Sequence, residues 1–377
     1  MIVLLISILV LITSLVYLAL MLFLRSGWNK IALFVPESKH FKTNVSVIIA
    51  ARNEETNIDK TISDILLQDY PAELFQLIVV DDHSTDRTAD IVQTYASRGV
   101  KLIRLNEGKS LNSYKKKAIS EAIKFSDAEL IVSSDADCRM GSGWLSAIVS
   151  LYESGDYKLI SAPVAYFQER NSFEKAQSFE FSFLIGLGAA GFGNNIPSTC
   201  NGANLAYRRD VFYELKGFQG IDDLASGDDE LFLHKVAKAY PEKIAFCKSI
   251  EAMVYTHAQS SLGSFIQQRK RWASKSTRYK EKRIVILGIF AWLYNLLFIF
   301  NALAGFLNPV FWQLCLFSLL FKMFSEMLFM VPISSFFRRK ELLWYLPVIS
   351  VIHIFYLIFI GIAGNSGKYS WKDRMVR

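Results

Sequence analysis

Four long apolar runs bracket a central stretch in which short apolar runs alternate with polar ones. The first, Ile2 to Leu24, carries no charge. At about 1.5 Å of rise per helical residue, its roughly 23 residues cross the ~30 Å hydrocarbon core of a bilayer. Three more runs lie near the C-terminus, at Ile284 to Leu307, Pro309 to Val331 and Leu342 to Ala363. A cleaved signal peptide would open on basic residues and offer a shorter run with a small-residue cleavage site. Here Arg25, Lys30, Lys39 and Lys42 follow the run instead. The pattern predicts an uncleaved anchor over 1–25 and membrane segments over 284–363, with a basic tail at 364–377.

Between the anchor and the later runs the period changes. Val45 to Ala51, Phe75 to Val80, Val100 to Leu105 and Leu130 to Ser134 read as strands. Glu55 to Leu67, Arg87 to Ala96, Lys115 to Lys124 and Gly143 to Tyr152 read as the helices between them. Strands alternating with helices predict an α/β domain, a mostly parallel sheet with helices on both faces. Ligands of such sheets bind beyond the carboxyl ends of the strands. Three strands end there in Ala51-Arg52-Asn53-Glu54, Asp81-Asp82 and Asp135-Ala136-Asp137.

Composition fits a partly lipid-facing chain: 377 residues, 52% of them hydrophobic, with a mean hydropathy of +0.25. The net charge of +7 gathers beside the apolar runs, at Arg269 to Arg283, Arg338-Arg339-Lys340 and Lys368 to Arg377. That placement suits anionic lipid headgroups, and no aromatic-plus-basic nucleic-acid pattern accompanies it. Cys138, Cys200, Cys247 and Cys315 are scattered, which suggests neither a disulfide framework nor a zinc site. No G-x-G-x-x-G follows the first strand and no P-loop occurs, so a nucleotide must be held by other means.

The acids suggest how. Asp135 and Asp137 stand two apart, and on a strand they would share a face. Two carboxylates about 4 Å apart repel by roughly 4 kcal/mol at an effective dielectric of 20. A divalent ion bridging them to a diphosphate removes that cost, and oxygen ligands favour Mg²⁺ or Mn²⁺. The bland alternative is a solvated turn. After the second strand, Ser84 or Thr85 can cap the next helix and Asp86 can complement its dipole, but neither explains Asp82. A carboxylate at that strand end can accept hydrogen bonds from a ribose or a uracil N–H. Asp228, Asp229 and Glu230 also read as an acidic helix start, with Leu231, Leu233 and Val236 continuing a helical face.

Taken in order, Val45 to Glu54, Asp81-Asp82-His83-Ser84-Thr85-Asp86, Asp135-Ala136-Asp137, Ser226-Gly227-Asp228-Asp229-Glu230-Leu231 and Gln267-Gln268-Arg269-Lys270-Arg271-Trp272 resemble the inverting family 2 glycosyltransferases of GT-A fold. The fourth motif departs from the family's Glu-Asp by shortening the first acid to Asp. The resemblance covers about Asn44 to Trp272 and, more loosely, the flanking membrane segments. It implies a GT-A domain at 44–260 and an interfacial helix at 261–283 that closes the active site. It also implies that Ala51, Asn53, Glu54, Asp82, Asp135, Gln267, Arg271 and Trp272 contact a UDP-sugar, and that Asp137 with Asp135 holds Mg²⁺ or Mn²⁺. Asp229 would be the catalytic base, with Gly202 and Asp228 on the acceptor side. Thr199 to Asn204 resembles the family's acceptor loop. Lys115-Lys116-Lys117 matches a region where the family often has a basic residue near the nucleotide, although a solvated helix face reads equally well. For α-helical 261–283 the alternative is an interfacial helix whose Arg, Lys and Trp merely sit at headgroup level.

The expected partners are a UDP-sugar, a lipid or glycan acceptor and membrane lipids, not nucleic acid. The expected location is the bacterial inner membrane, with the catalytic domain cytoplasmic because basic loops stay on that side. A third C-terminal crossing would put the basic tail outside, so either the charge rule fails or one block is re-entrant or interfacial. Lys322 and Glu326, four apart in an apolar block, can pair on one helix face, either near a lipid-acceptor path or as a neutralised pair between helices. A function of a different class also fits: a non-catalytic nucleotide-sugar-binding scaffold of a polysaccharide assembly complex.

Overall fold

The computed structural model describes residues 1–37, 40–106, 111, 113–224, 226–275, 282–363, 369–371 and 374–376. Expectations on Lys39, on 276–281 of the basic stretch and on most of the 364–377 tail fall outside those residues. The chain divides into two compact units. One comprises Met1–Lys30, Arg170–Ala190 and Gln259–Gly367, and the other Ile31–Glu169, Gly191–Ala258 and Lys368–Arg377. Residues 170–190 thus group with the terminal helices.

In chain order the elements are α1 (Ile2–Lys30), β1 (Val45–Ala51), α2 (Ile58–Leu66), β2 (Phe75–Asp81), α3 (Thr88–Thr94), β3 (Lys101–Arg104), α4 (Tyr114–Lys124), β4 (Leu130–Asp135), β5 (Arg139–Met140), α5 (Trp144–Glu153), β6 (Leu159–Ser161) and β7 (Val164–Tyr166). They continue with α6 (Ser172–Gly193), β8 (Leu205–Arg208), α7 (Arg209–Glu214), α8 (Glu230–Ala239), β9 (Ile244–Phe246), β10 (Val254–Thr256), α9 (Leu262–Ala273), α10 (Lys282–Ala304), α11 (Val310–Phe336) and α12 (Leu346–Ala363).

The sheet unit is the expected α/β domain. Its central sheet runs β3-β2-β1-β4-β8-β6-β9. β3, β2, β1 and β4 are parallel, whereas β8 enters antiparallel to both β4 and β6. β1 is buried nearly end to end, with Val47 and Ile49 at 0% exposure, as expected of a strand covered on both faces. Each such side chain contributes about 1.5–3 kcal/mol of burial. The register aligns the strand ends: Ala51 faces Asp81, and Ala50 faces Asp135. The reversed β8 has a consequence for the site, because its first residue, Leu205, pairs with Ser133 near the end of β4. The turn before β8 therefore sits at the same edge as the acids. A small second sheet, β5-β10-β7, belongs to the same unit.

Among the described residues the helical unit holds four helices long and apolar enough to cross a membrane: Ile2–Lys30, Lys282–Ala304, Val310–Phe336 and Lys340–Ala363. The third runs past the expected end at Val331, through Pro332, to Phe336; membrane helices tolerate proline where neighbours satisfy the freed backbone. Aromatic contacts join these helices, with Tyr17 stacked on Tyr294 at 4.7 Å and Trp28 edge-on to Phe336 at 5.4 Å. Lys322 and Glu326 are 1% and 6% exposed and ion-paired. Glu326 also accepts from Tyr17 Oη at 2.8 Å and Ser350 Oγ at 2.6 Å. This is a neutralised, hydrogen-bonded pair packed between helices.

Candidate active site

The acids of β4 come first. β4 ends at Asp135, and Ala136-Asp137 form a turn closed by Cys138 N–H donating to Asp135 O at 3.2 Å. Asp137 therefore leaves the strand. It does not share a strand face with Asp135, as the i, i+2 spacing suggested, and its Oδ2 instead accepts from Thr256 Oγ1 of β10 at 3.4 Å. Asp135 accepts from Lys115 Nζ at 2.7 Å, and the same ammonium lies 3.3 Å from Asp228 Oδ2. Burial alone would lower the Lys115 pKa, but Asp135, Asp228 and Asp229 outweigh it and push the group above its ordinary value. Lys115 remains a cation at any physiological pH.

Asp229 connects this cluster to the turn before β8. Its Oδ1 accepts from Glu230 N–H at 2.6 Å as the N-cap of α8, so the helix-start reading is correct for this residue. Its Oδ2 accepts from Gly202 N–H at 3.0 Å. A Cβ on Gly202 would stand 3.2 Å from Asp228 Oδ2 and 3.3 Å from Asp229 Cβ, a close approach that favours glycine. The turn is fixed from behind. Ser133 Oγ donates to Gly202 O at 3.0 Å. Asn204, fully buried, accepts from Trp144 Nε1 at 2.9 Å and donates to Pro163 O and Ala252 O at 2.8 and 2.7 Å.

The ends of β1 and β2 interlock. Asp82 is 2% exposed, its N–H donates to Ala51 O at 2.8 Å, and His83 Nδ1 lies 3.0 Å from its Oδ1. Arg52 donates to the carbonyls of Asp82 and His83 at 2.9 and 2.8 Å. Ser84 and Thr85 do not cap α3 as expected. Ser84 Oγ accepts from Asn53 N–H at 3.0 Å, and Thr85 N–H donates to Asn53 Oδ1 at 2.9 Å. Asn53 adopts a left-handed conformation, φ +50°, and its side chain ties the two loops together. The N-cap position of α3 is Arg87, and Asp86 just before it accepts from Thr88 N–H at 3.0 Å. Burial raises its pKa, but hydrogen bonds from Thr88 and Glu55 bring it below the ordinary carboxylate value. Glu54, half-buried, accepts from Asn57 Nδ2 at 3.0 Å.

Asp135, Asp228, Asp229 and Gly202 thus form one cluster around Lys115, with Asp137 two residues from Asp135 and with Ala51 and Asp82 at the neighbouring strand ends. The lysine cluster divides by position: Lys115 bridges two acids, Lys116 is buried, and only Lys117 pairs with Glu121 as a helix-face residue would. The bland reading of this cluster was wrong for two of its three members.

Gln267, Arg271 and Trp272 stand on α9 of the helical unit. α9 is capped by Ser261, whose Oγ accepts from Ser264 N–H at 3.2 Å. Its buried residue is Arg269, expected from charge alone to face headgroups. Arg269 pairs with Glu180 of α6 at 2.7 Å, the two side chains being 2% and 8% exposed. Its guanidinium lies 4.2 Å over the Trp272 ring and 4.6 Å over Phe265. One face of Trp272 is therefore occupied within the protein. Arg269→Ala would remove the guanidinium paired with the buried Glu180 carboxylate, leaving His353 Nε2 at 3.9 Å and Tyr356 beside it, and is expected to cost about 3–5 kcal/mol. Arg269→Lys would recover only part of this, because lysine lacks the planar fork that both pairs and stacks. Thermal unfolding in detergent checks both.

The cysteines give a reporter of the folded site. Burial, then Asp137 and Asp135, push the Cys138 thiol well up, and burial pushes Cys247 up to about 12. Thiolate is the reactive form. Iodoacetamide at pH 8 is therefore expected to modify half-buried Cys200 first, and Cys138 and Cys247 only after unfolding, as read by peptide mass spectrometry.

Among the described residues no three or more His, Cys, Asp or Glu gather as a self-contained metal site. Asp135 and Asp137 nonetheless suit Mg²⁺ or Mn²⁺, which are commonly held by one or two carboxylates and complete their shell on substrate phosphates.

Comparison with known proteins bears on the family and the fold. The sequence model of Glycosyl transferase family 2 matches residues 46–216. A beta-monoglucosyldiacylglycerol synthase of Nostoc sp. is 28% identical over 142 residues, 37% of this chain but only 30% of that protein. The probable glycosyltransferase YdaM of Bacillus subtilis is 25% identical over 289 residues, 71% of this chain and 65% of its own. The solved mannosyltransferase PcManGT of Pyrobaculum calidifontis, in complex with GDP-Man and Mn²⁺, shares the fold, with a TM-score of 0.60 at 18% identity over 96% of this chain and 98% of that one. Asp228, Asp229 and α9 lie beyond the matched segment. Residues 46–216, with the acids of β2 and β4 at their strand ends, are a glycosyl transferase family 2 domain of GT-A fold.

Proposed function

We propose that the chain is an inverting glycosyltransferase that moves a sugar from a UDP-sugar to a lipid or glycan acceptor at the cytoplasmic face of the bacterial inner membrane. The observation that carries this reading is the cluster around Lys115, with Asp135 and Asp228 on one ammonium and Asp229 on the Gly202 turn. It unites an acid suited to the diphosphate side with one suited to the acceptor side. Family membership and the four long apolar helices support the rest.

In this reading Asp82 and the β1 end, Ala51 with Asn53 and Glu54, receive the nucleoside. Gly202 and Asp228 border the acceptor. Asp229 takes the proton of the acceptor hydroxyl as its oxygen bonds to the anomeric carbon. The bond from that carbon to the diphosphate oxygen breaks on the opposite face, and the leaving group keeps the electron pair. Asp137, with Asp135, would hold Mg²⁺ or Mn²⁺, which supplies neutralisation of charge on the leaving diphosphate. The chain as a whole reads as an anchor at 1–25, a catalytic domain at 44–260, an interfacial helix at 261–283 and membrane segments at 284–363.

The test is a donor screen with the full chain in lipid nanodiscs, Mn²⁺ and a lipid extract, following nucleoside diphosphate release from UDP- and GDP-sugars with mass analysis of products. Acceptor-dependent release from a UDP-sugar is expected. Release from GDP-sugars alone would overturn the choice of nucleotide, and no release from any donor would overturn the activity.

A further inference from the structure

Lys116 is among the largest fully buried side chains, 2% exposed. Its ammonium donates to the carbonyls of Ile221, Leu224 and Ser226 at 2.6, 2.7 and 2.8 Å. A lysine has three donors, and here all three are spent on a single backbone segment, the one leading into Asp228 and Asp229. A buried charge is tolerated when it is fully hydrogen-bonded, so the placement is specific. The segment begins and ends at glycines in the left-handed region, Gly220 at φ +82° and Gly227 at φ +87°. Such turns are conformationally permissive, and Lys116 fastens the chain between them. Adjacent helix positions point about 100° apart. From neighbouring places on α4, Lys115 therefore reaches the Asp135 and Asp228 side chains while Lys116 reaches the backbone before them.

We propose that Lys116 is a positioning residue for Asp229: it holds the carbonyls of Ile221, Leu224 and Ser226 and so aims the carboxylate that takes the acceptor proton. The inference rests on the proposed role of Asp229 as base. The two fail differently. If Asp229→Asn keeps turnover, the base assignment falls; if Asp229→Asn loses turnover while Lys116 variants keep it, only the positioning role falls.

The experiment compares Lys116→Met with wild type in the full chain in nanodiscs, using the donor identified by the screen. Displacing a catalytic group by about 1 Å costs on the order of a hundredfold in rate. The expected result is a kcat loss of that size, UDP affinity by calorimetry within about threefold of wild type, and faster amide exchange confined to 219–229. A purely structural role would lower UDP affinity and exchange protection across the whole sheet unit, which would overturn the proposal. So would a kcat loss below about tenfold. If Lys116→Met does not fold, Lys116→Gln, which keeps two N–H donors, carries the same criteria. Failure of both to fold would make Lys116 a folding residue and also overturn it.

Discussion

Asp229→Asn is expected to lower kcat by about 10²–10⁴-fold, the range contributed by general acid–base groups, with donor affinity within about threefold of wild type. The substitution is close to isosteric, but the local bonding predicts a second, smaller effect. Asp229 accepts from both Glu230 N–H and Gly202 N–H. The asparagine oxygen can serve one of them, whereas its NH₂ would meet the other N–H donor to donor. That lost bond costs about 1–3 kcal/mol of stability, a few degrees of melting temperature, and leaves the fold in place. The two losses separate chemistry from structure. A scaffold that only binds nucleotide-sugars would keep its biological output in this variant; an enzyme would keep donor binding and lose turnover.

The second large effect belongs to Asp137. Removing its carboxylate with Asp137→Ala takes away the acid expected to hold the divalent ion, and Lewis-acid stabilisation of a leaving phosphate amounts to several kcal/mol. The expected loss in kcat/KM is therefore about two orders of magnitude or more, with the Mn²⁺ concentration needed for half-maximal rate raised. Asp135→Ala should be milder in this respect and different in kind, since Asp135 also holds Lys115 at 2.7 Å. Titrating each variant with Mn²⁺ at saturating donor distinguishes them. An Asp137→Ala enzyme with an unchanged metal titration would remove Asp137 from the metal assignment.

How much of this was legible beforehand follows from what each feature depends on. β1 was predicted residue for residue because a doubly buried strand is a continuous apolar run bounded by polar residues. α2 begins at Ile58 rather than Glu55, because Asn53 N–H bonds to Ser84 after β2 and Glu54 N–H to Thr88 at the start of α3 in place of starting a helix. That exchange is set by a neighbouring strand and has no local signature. The antiparallel β8 was equally hidden: four residues in a short apolar run carry no direction. Yet β8 brings Gly202 to Asp229.

The site was legible as an ordered set of acids, but its connections were not. Lys115 and Lys116 look alike in sequence, and only the helix rotation, which sends one to carboxylates and the other to carbonyls, separates them. Arg269 shows the same limit from the opposite side. A basic residue in a basic segment suggests lipid headgroups, and only the arrival of Glu180 from α6 makes it a buried ion pair. The one available signal was the apolar patterning of Phe265 and Trp272 around it, which marks a covered helix face.

The stereochemistry of transfer bears most directly on the central claim, a single displacement with Asp229 as base. Proton NMR of the product formed from an α-linked UDP-sugar by the full chain is predicted to show the β-anomer. A product that retains the donor's α configuration would contradict the account, since one displacement at the anomeric carbon must invert it.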